Sequence, residues 1–126
     1  MARVKYLLDT TTALDLFKGL EEVKPIKVLL QHTNVYISII TRIEMLAYPH
    51  ITPEMERRIN IFLKSVMVIP LTKKVERNTI LIRRSKRLKI PDAIIAASAL
   101  SVKATIISRD DHLLGLNWPG LQSISG

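Results

Sequence analysis

Short apolar runs rich in β-branched residues alternate along this chain with longer stretches whose apolar positions recur at helical spacing. Val4–Leu8, Val35–Ile40, Val66–Ile69 and Thr105–Ser108 have the length and composition of interior strands, and Leu121–Ile124 reads as a last edge strand. Between them, Thr12–Leu20 sets Ala13, Leu16, Phe17 and Leu20 on one helical face, and Thr41–Tyr48 reads as a helix ending near Pro49. From Thr52, with Pro53 suited to a first helical turn, Met55, Ile59, Phe62, Leu63 and Val66 repeat at helical intervals. Lys73–Leu88 is a basic helix with Val75, Thr79, Ile82 and Ser85 inward. Pro91 opens a helix to about Leu100 in which Ile94, Ile95, Ala96, Ala97 and Ala99 leave almost no polar face, so it should lie buried against a sheet. This alternation predicts an α/β fold, a parallel central sheet flanked by helices on both faces. No repeat, low-complexity tract or linker interrupts it, and residues 1–126 read as a single domain.

The junctions of this pattern carry acids. Asp9 follows Val4–Leu8, Glu44 follows Val35–Ile40, Asp92 follows Ile90-Pro91, and Asp110 follows Thr105–Ser108. Ligands of an open α/β sheet bind beyond the carboxyl ends of its strands. Carboxylates gathered there repel one another unless some are protonated or a cation neutralises them. Each acid alone also has an ordinary structural use. Glu44 stands three residues after Thr41, as in a capping box. Asp92 favours the dipole of the helix opened by Pro91, Asp9 or Thr12 could cap the first helix, and Asp110 could cap His112–Leu116. Capping does not explain why every such junction bears an acid where Ser or Asn would serve. A carboxylate-only site selects a hard cation, Mg²⁺ or Mn²⁺. Two such ions about 3.5–4 Å apart suit in-line displacement at a phosphodiester.

Charge sharpens that picture. The chain carries +8, yet Lys73–Lys89 alone holds eight cations against Glu76. Within that segment Arg83, Arg84, Lys86 and Arg87 are candidates to track a nucleic-acid backbone, the alternative being a solvated helix face. No aromatic residue lies in the segment to anchor it to a membrane. Apolar residues make up 48% of the chain, ordinary for a globular domain, and no cysteine is present, which excludes thiolate metal sites and cysteine nucleophiles. Lys5 and Asp9 interrupt the N-terminal apolar run, and no run approaches the ~20 residues that cross a bilayer. A soluble cytoplasmic protein is therefore expected. Glycine-rich phosphate loops and the serine nucleophile elbow are absent, and His32, His50 and His112 lack paired metal-ligand spacing. His112 lies close enough to Asp110 in sequence to reach a substrate, whereas Trp118 reads as a plug at the sheet edge.

Taken together, these segments resemble a PIN domain of the small VapC toxin type. The resemblance rests on Tyr6-Leu7-Leu8-Asp9-Thr10, Ser38-Ile39-Ile40-Thr41-Arg42-Ile43-Glu44, the run from Ile90-Pro91-Asp92 to Leu100, and Thr105-Ile106-Ile107-Ser108-Arg109-Asp110. No piece is specific alone, but their order and spacing are those of the family. The resemblance implies a Mg²⁺- or Mn²⁺-dependent endoribonuclease with Asp9, Glu44, Asp92 and Asp110 as metal-binding acids and Thr10 and Ser108 lining the pocket. It further implies an RNA substrate, a homodimer and an inhibitory antitoxin. The chain departs from the family at Thr11, commonly Asn, and at Ser108, commonly Thr. Asp111 adjoins Asp110, and the Ser-Arg-Asp match favours Asp110 as the fourth acid. The competing function classes are a PIN-like RNA-binding domain without catalysis and an RNA-processing nuclease without a toxin role.

Overall fold

All five strands of the sheet run parallel, in the order β3-β2-β1-β4-β5, so their carboxyl ends share one edge. The computed structural model describes residues 4–19 and 34–126, and the expectations for Leu20 and His32 fall outside them. The elements are β1 (Lys5–Leu8), α1 (Thr10–Lys18), β2 (Asn34–Ser38), α2 (Ile39–Leu46), α3 (Pro53–Leu63), β3 (Met67–Ile69), α4 (Lys73–Ser85), α5 (Ile90–Val102), β4 (Thr105–Ser108), α6 (Asp111–Leu114) and β5 (Gln122–Ser125). The chain runs outward from β1 through β2 to β3, then crosses back to place β4 on the other side of β1. The order therefore reverses between β1 and β4. In such sheets the crevice lies at that switch point.

Successive side chains of a strand point to opposite faces, and this alternation builds two cores. Leu7 and Ile106 join Val75, Ile82 and the α5 residues Ala93–Ala97 on one face. Leu8, Ile37 and Ile107 meet Ala13, Met45, Ile59 and Leu63 on the other. Helices α4 and α5 thus cover one face and α1, α2 and α3 the other, the predicted layered arrangement. Helix α5 buries an unbroken run from Ala93 to Ala99, as its apolar composition requires. Its small alanines let it lie close to β1, β2 and β4. Among the described residues no helix is long and apolar enough to cross a membrane.

Two local expectations are corrected. Strand β2 stops at Ser38, whose hydroxyl accepts the Ile40 N–H at 3.1 Å and caps α2, so Ile39 and Ile40 are helical rather than extended. The cap three residues earlier moves Thr41 into the helix, and the Thr41–Glu44 capping box does not form. Ile90 and Pro91 likewise lie in the first turn of α5. Asp92 therefore lies in the first turn of a helix, as the sequence around Pro91 predicts.

Candidate active site at the carboxyl edge of the sheet

Asp9 leaves the end of β1 at the switch point and is buried, at 4% exposure. Its backbone N–H continues the β1–β4 ladder to the Ile107 carbonyl. One carboxylate oxygen accepts the Thr12 N–H at 2.9 Å and so caps α1. The other accepts the Ser108 hydroxyl at 2.5 Å. Ser108 Oγ in turn accepts the Asp110 N–H at 2.9 Å, so one buried hydroxyl spans the first and fourth acids. Asp110 caps α6 by accepting the His112 N–H at 2.8 Å, and His112 Nδ1 lies 3.1 Å from the same oxygen. The capping roles of Asp9 and Asp110 are real but not exclusive. Each carboxylate oxygen has a second lone pair that capping does not use.

Glu44 reaches the same edge from the middle of α2. Its side chain is exposed, and Oε1 accepts the Thr10 hydroxyl at 2.7 Å. Asp92, in the first turn of α5, is half-buried and accepts no hydrogen bond among the described residues. Burial raises its carboxyl above the ordinary range, and the charges of Asp110, Glu44 and Asp9 raise it further, with His112 partly opposing them. The other three acids thus act on Asp92 together, across four elements of the fold. Asp111 is exposed and is not among the charges that raise Asp92, whereas Asp110 is.

Among the described residues no three Asp, Glu or His side chains close around a single point as placed. An octahedral hard cation does not need them to. It takes one or two carboxylates directly and keeps several waters. The donor set fits such an ion: oxygen only, with one partly buried carboxyl raised above its ordinary range by burial first and by its acidic neighbours second.

Asp92 and His112 share a cleft of about 390 Å³ with Arg83, Arg87, Leu88 and Lys89. Arg83 donates to the Leu88 carbonyl at 2.6 Å, which fixes the turn carrying Arg87 to Lys89 against α4. The expected basic set is thereby divided. Arg83 and Arg87 reach the cleft, Arg84 lines a separate hollow with Ile80 and Ile90, and Lys86 lines neither. Lys89 was missed by sequence reasoning, although its place three residues before Asp92 was a usable signal. Asp15 was missed as well. It is buried on α1 and forms an ion pair with Arg109, tying the turn after β4 to the helix after β1. Trp118 packs on the α5-side core, as a plug would.

A family model, the PIN domain, matches residues 6–117, and the chain belongs to that family. PIN domains are nucleases and generally use divalent metal ions. No curated protein sequence matches the chain. Among solved structures, a toxin–antitoxin complex from Klebsiella pneumoniae has a chain 29% identical, with TM-score 0.75, covering 92% of this chain and 94% of that one. A chain of VapBC2 from Rickettsia felis, bound to a promoter DNA fragment, superposes with TM-score 0.81 at 17% identity, over 98% and 99% of the two chains. VapBC-5 from Mycobacterium tuberculosis gives TM-score 0.66 at 20% identity, over 98% and 99%.

The raised Asp92 carboxyl makes a testable demand. A carboxyl that binds its proton more tightly in the folded state than in the unfolded chain loses folding stability as pH rises from its ordinary 3.8 through the raised value. That loss persists at neutral pH. Asp92→Asn removes it, so the metal-free variant should unfold at higher urea than the parent at pH 7, with the advantage shrinking below pH about 4. Urea titrations in EDTA across that range check this, and a variant less stable than the parent at pH 7 contradicts it.

Proposed function

We propose that this nuclease is a Mg²⁺- or Mn²⁺-dependent endoribonuclease and the toxin of a toxin–antitoxin pair. One observation carries the reading: the half-buried Asp92 carboxyl, crowded by three other acids, opens into a cleft rimmed by Arg83, Arg87 and Lys89. A carboxyl and three cations lining one cleft suit a phosphodiester bound over a cation. A cleft of 390 Å³ favours a single strand over a duplex, and RNA is the strand that the family resemblance implies.

In this reading Asp9, Glu44, Asp92 and Asp110 hold the metal, which when bound supplies an activated water and a stabilised leaving oxygen. The remaining residues prepare the ground. Ser108 keeps Asp9 and Asp110 in fixed relation, and Thr10 orients Glu44. Arg87 and Lys89 bind phosphates flanking the reacting one, with Arg83 partly committed to the Leu88 carbonyl. His112, anchored on Asp110, presents its other ring nitrogen to the strand.

The antitoxin belongs to the same proposal, supported by the Klebsiella relative's complex. Where α1, α2 and α3 meet, a groove of about 320 Å³ is lined by Leu14, Phe17, Met45, Tyr48, Met55 and Ile59 and flanked by Lys18 and Arg58. An apolar segment with acidic flanks fits it. From there an Arg or Lys of the partner would reach Asp9 and Asp92, since a guanidinium pairs with carboxylates in place of the cation. A homodimer is part of the reading through the family alone. On α3, Ile59 and Leu63 are buried in the core, and Met55 and Ile61 are left exposed.

Purified protein is expected to cleave single-stranded RNA with Mg²⁺ or Mn²⁺ and not in EDTA, and Asp9→Asn should abolish cleavage while leaving RNA binding. Metal-independent binding by the parent without any cleavage would favour the non-catalytic class instead. In RNA titrations across salt, Arg87→Gln should flatten the slope of log affinity against log salt by about 0.7, and Arg84→Gln by less, because only Arg87 lines the cleft. Equal effects from the two would return the segment to a diffuse basic surface. Inhibition by the co-expressed antitoxin should weaken as Mg²⁺ rises at matched ionic strength. Inhibition indifferent to Mg²⁺ would mean that the partner blocks RNA access without entering the acidic pocket.

A further inference from the structure

Thr41 has a fully buried hydroxyl whose partner lies on another helix. Its Oγ1 is 3.0 Å from Thr10 Oγ1, across 31 residues of sequence, and Thr10 Oγ1 is 2.7 Å from Glu44 Oε1. We infer that Thr41 is a positioning residue for Glu44, acting through the hydroxyl of Thr10. The inference rests on the reading of Glu44 as a metal-binding acid and goes beyond it to what holds that acid in place.

The direction of the chain follows from proton counting. A carboxylate only accepts, and a hydroxyl has one proton to give. Thr10 therefore donates to Glu44, and its oxygen accepts from Thr41. Each bond polarises the next, and the last is charge-assisted. Glu44 needs this support more than the other acids do. It is exposed, long and repelled by the carboxylates around Asp92, so an untethered side chain would swing toward water. The Thr41–Thr10 chain ties it to the turn that begins at Asp9, since Thr10 is the next residue. A purely packing role leaves the Thr41 hydroxyl unexplained. Valine fills the same volume without burying a polar group, and the cap of α2 is already supplied by Ser38.

The experiment compares Thr41→Val, Thr41→Ser and Glu44→Gln with the parent protein. Three quantities are read: melting temperature in EDTA, Mn²⁺ affinity of the RNA-free protein by electron paramagnetic resonance, and the Mg²⁺ concentration giving half-maximal RNA cleavage. Partners behind a metal ligand typically carry 10–100-fold in affinity, so Thr41→Val should weaken Mn²⁺ binding and raise the Mg²⁺ requirement by about 10-fold. Saturating Mg²⁺ should restore most cleavage, and Thr41→Ser should behave as the parent. A merely structural threonine would shift the melting temperature and leave Mn²⁺ affinity unchanged, which overturns the inference. If Thr41→Val does not fold, Thr41→Ala against Thr41→Ser gives the same contrast. Loss of Mn²⁺ affinity in Glu44→Gln with none in Thr41→Val sinks the positioning role alone, whereas parental Mn²⁺ binding by Glu44→Gln removes Glu44 from the metal site and the inference with it.

Discussion

Mutual repulsion of carboxylates at one edge of a parallel sheet is the constraint around which this molecule is arranged. Burial raises the proton affinity of Asp92 first, and the like charges of Asp110, Glu44 and Asp9 raise it further, with no hydrogen-bond donor to Asp92 among the described residues. The neighbouring acids are held against this repulsion by donors. The Ser108 hydroxyl and the Thr12 N–H donate to Asp9, the His112 N–H donates to Asp110, whose own N–H is accepted by Ser108 Oγ, and the Thr10 hydroxyl donates to Glu44. Asp92 accepts no such bond among the described residues.

The parallel sheet makes this possible. Because every strand points the same way, β1 and β4 end side by side, and the order reversal between them opens the crevice. Asp9 and Ser108 terminate those two strands, so their bond is a by-product of register. Helix α5 must be nearly featureless to lie against the sheet, and this brings its first turn, with Asp92, over the same edge. The Asp15–Arg109 pair then binds the turn after β4 to α1 from below. Core packing and site geometry are one arrangement, since the helices that bury Ile94 and Ala13 are those that carry Asp92 and follow Asp9.

Charge separation within a basic chain gives the cleft its polarity. The cations of Lys73–Lys89 do not form a uniform surface. The Arg83–Leu88 hydrogen bond folds the end of that segment back, so that Arg87 and Lys89 face Asp92 while Arg84 turns to the aliphatic hollow beside Ile80 and Ile90. The cations of the cleft come from α4 and the turn after it, and its carboxyl comes from the first turn of α5.

Periodicity and composition were sufficient for the layers. Two-residue alternation in Leu7-Leu8 and Ile106-Ile107 specifies a strand buried on both faces, and the unbroken apolar run of α5 specifies a helix with no solvent side, because burial of apolar surface depends on spacing that the chain itself displays. The four acids were legible for the same reason, as charged residues at the ends of apolar runs. What the chain could not display were hydroxyl partners and the sorting of cations. Thr41 resembles half of a capping box until Ser38 is seen to cap α2 three residues earlier. The resemblance puts Ser108 at the pocket, but only the fold sets its hydroxyl between Asp9 and Asp110. Arg84 and Arg87 are alike in sequence, and only the folding back of the turn after α4 parts them. These choices depend on distances between segments remote along the chain, and such distances exist only after the sheet has closed the β1–β4 pair.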